Sequence, residues 1–182
     1  MKNKNFIFAV LLAGIIFANT YTSHAGPLHS AAFNGDVTVA QQLIEQGADV
    51  NQIDDEGQTP LIRGAWSGGV EMVRLLLKKG ANSNLKNKWG DSPLSVACIF
   101  ANKTMVELLL SQGADIHEKG ENGYTPLHLA AMSGNQPLVE LLIHNKAKYD
   151  AKDNEGMTPA DWALKKDHPE ISKWLTEKKF DR

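Results

Sequence analysis

Six histidines and one cysteine are the side chains of this chain best suited to chemistry near neutral pH. Two histidines within reach of each other could move a proton or share a metal, and an activated cysteine could attack a substrate or ligate haem iron. The spacing argues against each of these. His29 and His128 stand 99 residues apart, and prolines at 27, 60, 93, 126 and 159 recur every 33 residues, so the two histidines share one phase, three periods apart. In a stacked array, equivalent positions are separated by whole repeats, so each imidazole serves its own turn and the two form no dyad. His117, His144 and His168 have no periodic partner, and His24 falls in a leader expected to be removed. Cys98 aligns with Ala32, Ala65 and Ala131, which makes it a small packing residue with an inert thiol. No Gly-rich phosphate loop, paired-cysteine motif, His-Glu-x-x-His or Gly-x-Ser-x-Gly segment occurs. The expectation is a non-enzyme with no catalytic residue, metal or cofactor.

The same period defines the elements. Thr59-Pro60-Leu61-Ile62 returns as Ser92-Pro93-Leu94-Ser95, Thr125-Pro126-Leu127-His128 and Thr158-Pro159-Ala160-Asp161, with Gly26-Pro27-Leu28-His29 as the first copy. The hydroxyl residue suits a helix N-cap, and the proline suits the first helical position, where its missing N–H costs nothing. Small pairs follow at Ala31-Ala32, Gly64-Ala65, Ala97-Cys98 and Ala130-Ala131, which lets neighbouring helices approach closely. This first helix should end near Gly35, Gly68 and Gly134. A second helix is marked by apolar residues at i, i+3 and i+4: Val73, Leu76 and Leu77, then Val106, Leu109 and Leu110, then Val139, Leu142 and Ile143. Gly47, Gly80 and Gly113 fit the left-handed position that ends a helix, and Lys146 at that phase should be strained by about 1 kcal/mol. The Asp/Asn/Gly-rich stretches from 51, 84, 118 and 150 read as turns, closing on Gly57, Gly90, Gly123 and Gly156.

A Gly-containing turn, Thr-Pro-Leu-His, a small pair, a Leu-Leu helix and Gly-Ala together resemble the ankyrin repeat. The fullest copy is Gly123-Tyr124-Thr125-Pro126-Leu127-His128-Leu129-Ala130-Ala131. The resemblance implies an all-α solenoid of stacked helix-turn-helix units joined by short β-hairpin-like loops. Its units would run about 26–53, 54–86, 87–119 and 120–152, with a C-terminal cap at 153–182 in one domain. Ile62, Ser95 and Asp161 depart from the histidine position and should weaken hydrogen bonding in their turns. Asp167, His168 and Pro169 should open a final helix, with Lys173, Lys178 and Lys179 on its solvent side. Trp162 and Trp174, in phase with Leu129 and Leu141, are expected to pack the cap.

In such arrays the hairpin tips and first-helix ends line a concave groove. The residue after the small pair, at that helix end, is Phe33, Trp66, Ile99 and Met132, with Lys165 in the cap. Phe100 follows Ile99, and Trp89 and Tyr124 lie in hairpin tips. If exposed, these form a ladder of apolar and aromatic groups suited to a protein partner; otherwise they fill space between first helices. Charge on the tips reads as a solvated edge: acidic at Asp54, Asp55 and Glu56, basic at Lys86 and Lys88, and balanced at Lys119 with Glu121 and at Lys152 with Asp153 and Glu155.

Residues 1–25 have the layout of a secretory signal peptide: Lys2 and Lys4, an apolar run from Phe6 to Ala18, then a polar stretch ending in Ser23-His24-Ala25. The run of 13 residues is too short to span a bilayer, and no cysteine follows it to take a lipid. Removal of the leader takes two of 19 basic residues and none of 21 acids, which leaves 157 residues with net charge −4. That balance argues against nucleic acid. A single cysteine forms no internal disulfide, so packing alone must stabilise the fold. The leader resembles those of Gram-negative exported proteins, so a periplasmic location is expected, with secretion as the alternative. The reading is a monomeric bacterial repeat protein that binds a protein partner and does not insert in the membrane after cleavage. A dedicated inhibitor or immunity protein, or an assembly factor for an exported enzyme, is the special case.

Overall fold

The computed structural model describes residues 25–177. The expected leader up to His24, and Lys178 and Lys179 of the expected cap surface, lie outside the described residues. Among the described residues, ten α-helices alternate with short turns: α1 (Pro27–Asn34), α2 (Val37–Glu45), α3 (Pro60–Trp66), α4 (Val70–Lys78), α5 (Pro93–Ile99), α6 (Lys103–Ser111), α7 (Pro126–Ser133), α8 (Gln136–His144), α9 (Pro159–Lys165) and α10 (Pro169–Glu177). They form two layers. Each first helix packs on the first helix of the next unit and on its own second helix, while the second helices touch one another more sparsely. Residue size explains the difference. Ala32, Ala65, Cys98, Ala131 and Ala163 are essentially fully buried in the first-helix layer, and Leu76, Leu109 and Leu142 fill the space between layers.

The caps form as the hydroxyl residues predict. Thr59 accepts from the Ile62 N–H at 3.1 Å, and Ser92 accepts from the Leu94 and Ser95 N–H groups at 3.1 Å each. The expected weakening at Ser95 and Asp161 is corrected by the structure. The Ser95 hydroxyl accepts the Ser92 N–H at 2.9 Å, and the Asp161 carboxylate accepts the Thr158 N–H at 2.8 Å and its hydroxyl at 2.7 Å. Any short acceptor three residues past the cap can reach back in this way, so histidine is not required. Among the three departures only Ile62, which has no polar atom, lacks the return bond.

Three of the four hairpins are each braced by one Asx side chain. Asp54 Oδ1 accepts the Glu56 and Gln58 N–H groups, Asn87 Oδ1 those of Trp89 and Asp91, and Asp153 Oδ1 those of Glu155 and Met157, at 2.8–3.0 Å. Successive hairpins are then stitched by backbone bonds, Lys88 N–H to Glu56 O and Asn154 N–H to Asn122 O, at 3.1 Å each.

Three left-handed positions lack the glycine that the repeat otherwise uses. Lys146 has φ 72°, as its phase predicts, while Ala101 has φ 51° and Asp167 φ 64° at the phase of Gly35, Gly68 and Gly134. A Cβ in this region costs about 1–2 kcal/mol, of which glycine's extra chain entropy returns part. Ala101→Gly and Lys146→Gly should therefore each stabilise the fold by about 0.5–1 kcal/mol. Urea unfolding of the two variants and their combination checks this; the sites are far apart and should add.

Candidate binding face

First-helix ends and hairpin tips meet on one side of the stack. Two ion pairs show it: Arg63 of α3 lies 2.6 Å from Asp54 of its hairpin, and Lys165 at the end of α9 lies 3.5 Å from Glu155. Lys165 shares its phase with Phe33, Trp66, Ile99 and Met132. All four of these are half-buried, and Trp66 packs against the core.

Trp66 and Phe100 are brought together from adjacent units, edge to face, with centroids 5.3 Å apart and planes at 77°. Phe100 is exposed, because it forms the C-cap of α5 one residue beyond the packing phase. The Trp66 Nε1–H is buried with no acceptor, a condition that costs about 1–3 kcal/mol and that native interiors generally avoid. Trp89 is exposed on the 84–90 hairpin. Tyr124 is placed differently from the rest. It is half-buried and packs edge-on against Trp162, with centroids 5.3 Å apart, and more loosely against His128, so it seals the joint between the fourth unit and the cap. Burial, followed by the nearby Asp153 and Glu155 carboxylates, raises its phenol above the usual range.

Sequence reasoning missed Ile53, which is 62% exposed at the start of the 51–57 hairpin. Its phase is that of Lys86, Lys119 and Lys152, so an apolar residue in a lysine column was the available signal.

His29, His128 and Cys98 occupy structural places. His29 Nε2 faces the Gln52 and Gln58 carbonyls at 2.9 and 3.1 Å, and His128 Nε2 faces the Met157 carbonyl at 3.1 Å. His128 Nδ1 accepts the Thr125 N–H at 3.1 Å. These partners assign His128 as the neutral Nε2–H tautomer, and burial keeps both imidazoles below the ordinary value of 6.5. Each histidine thus ties a first helix to the hairpin that follows. At the Ser95 phase, where that tie is absent, Glu118 enters instead. Its carboxylate takes a hydrogen bond from the Ser92 hydroxyl and lies 3.6 Å from Lys86 Nζ. Cys98 is fully buried, and desolvation, then the Glu118 charge, pushes its thiol far above the reactive range. Among the described residues, no cluster of three or more His, Cys, Asp or Glu could hold a metal ion, and no helix is long and apolar enough to cross a membrane.

A family model described as ankyrin repeats matches the chain in three overlapping copies, at residues 2–87, 28–120 and 94–181. No curated protein matches it.

Proposed function

The chain belongs to the ankyrin-repeat family, whose repeats are generally protein–protein interaction modules, and we propose that it acts as a non-enzymatic binding module that receives a protein partner on the face formed by hairpin tips and first-helix ends. The carrying observation is the Trp66–Phe100 pair, with Ile99 and Met132 at the same phase beside it. Aromatic groups that a scaffold leaves partly open, ringed by charge, are the usual anchors of protein interfaces. The orphaned Trp66 N–H supports the same reading. A partner that turns the indole outward gives it an acceptor and relieves a cost carried by the free protein. The partner's loop or helix would lie along the ladder, with Trp66 at its centre. Tyr124 contributes less, because Trp162 and His128 already occupy two of its sides.

Trp66→Ala separates an anchor from a spacer. An anchor lost from a half-buried site should cost the fold about 1–2 kcal/mol, less than the roughly 3–5 kcal/mol of a fully buried tryptophan, while partner capture by the tagged protein in its own cells is abolished. Collapse of the melting transition in this variant would point to a spacer.

The proposed compartment is the periplasm, reached by cleavage after Ala25, with secretion as the alternative; the support is the basic, apolar and polar order of residues 1–25. Mass spectrometry of the exported protein should then find Gly26 at the N-terminus. A full-length mass in the same fraction would contradict this.

A further inference from the structure

The structure separates charges that the sequence leaves mixed. In the hairpins, the acids adjoining the lysines turn inward. The Asp54 side chain is 3% exposed and holds Arg63, Glu118 is 6% exposed and holds the Ser92 hydroxyl, and Asp153 is buried against the Trp162 indole N–H at 2.6 Å. The lysines turn outward in a column. Lys86 Nζ donates to the Lys119 carbonyl at 2.9 Å while lying 3.6 Å from the Glu118 carboxylate, and Lys119 Nζ donates to the Lys152 carbonyl at 2.7 Å, so each stretches over the next hairpin. Lys88 is exposed two residues beyond Lys86, beside exposed Trp89. Glu155 is met by Lys165, which leaves Glu121 and Asp150 as the exposed acids of the last three hairpins without an ion pair among the described residues. The chain's net charge is −2, so this basic strip runs against the balance of the whole protein.

On the reading that this face binds protein, we propose that its occupant is an acidic polypeptide segment, with carboxylates against Lys88, Lys119 and Lys152 and apolar side chains against Trp66, Phe100 and Met132. Alternation of charge and apolar anchors favours a peptide over a nucleic acid, whose uniform phosphates would have no counterpart for the exposed Ile53, Phe100 and Asp55 at the other end.

The test uses fluorescence anisotropy with three labelled probes: a peptide of alternating glutamate and leucine, the same peptide with glutamine for glutamate, and an oligothymidylate. The glutamate peptide should bind about tenfold more tightly than its glutamine counterpart, and the difference should fade from low to physiological salt. Lys88→Glu combined with Lys152→Glu should remove the difference while melting as the unaltered protein does; if that variant melts early, Lys88→Gln with Lys152→Gln serves instead. Equal binding of the two peptides, or preference for the oligonucleotide, overturns the proposal. If neither peptide binds but a photo-crosslink from position 66 still captures a protein, the acidic partner is ruled out and the binding role stands; with no crosslink either, both fall.

Discussion

Gly90→Ala should cost the fold about 3 kcal/mol, while Gly156→Ala at the same phase should cost about 1 kcal/mol. Both residues are left-handed, at φ 76° and 78°, so a side chain pays the same backbone cost at each. They differ in what stands beside them. A Cβ on Gly90 would lie 2.8 Å from the Glu121 backbone nitrogen and 3.3 Å from the Gly120 carbonyl carbon, whereas one on Gly156 would meet nothing within 4 Å. Backbone cannot swing aside as a side chain does, so the 84–90 and 118–123 hairpins would have to part. Gly156 lies in the 150–156 hairpin, which no further hairpin covers among the described residues. Gly57 is an intermediate case, with the Lys88 nitrogen 3.2 Å away, and should fall between the two. Urea unfolding of the three alanine variants gives the order directly. Equal losses would mean that the hairpins do not press on one another.

Asp153→Ala is the second large effect, at about 3 kcal/mol. One carboxylate holds three donors: the Glu155 and Met157 N–H groups at 2.9 Å, and the buried Trp162 Nε1–H at 2.6 Å. Burial alone would raise this acid. The Trp162 hydrogen bond, with the Met157 and Glu155 N–H groups behind it, reverses that and holds the group below its ordinary 3.8, so it accepts as a carboxylate. Removing it opens the hairpin and orphans an indole N–H at the joint between array and cap. Trp162→Phe removes only that N–H, so a double-mutant cycle between the two should show a coupling of about 1–2 kcal/mol. Simple additivity in urea unfolding would contradict the pairing.

That pairing also shows where the sequence was legible and where it was not. Prolines, cap hydroxyls and Gly-Ala pairs act within a few residues of themselves, so the period alone locates the helices and their ends. The Asp153–Trp162 bond spans nine residues, across a hairpin and half a helix. Asp54 and Arg63 repeat it three units earlier, while Asn87 faces Val96 and Gly120 faces Leu129 at the same phases, so the acid occurs where a donor stands nine residues on. A charge count of the tips could not see this, because it gave Asp54 and Asp153 to the surface. Cap packing was legible for Trp162, from its phase with Leu129. That Tyr124 would spend its ring on the same joint was not, since its hairpin position equally suits an open aromatic. The apolar ladder was legible as a phase, but its half-burial and the contact of Trp66 with Phe100 depend on the spacing between units, which no single repeat encodes.

The central claim is that the Trp66 side of the stack receives a protein. The most direct measurement is in-cell crosslinking from a photo-reactive residue at position 66, with the same probe at Arg74, exposed on the second helix of that unit, as the control. The account predicts a discrete crosslinked protein from position 66 that is absent from position 74. No product at 66, or the same products from both positions, would contradict it.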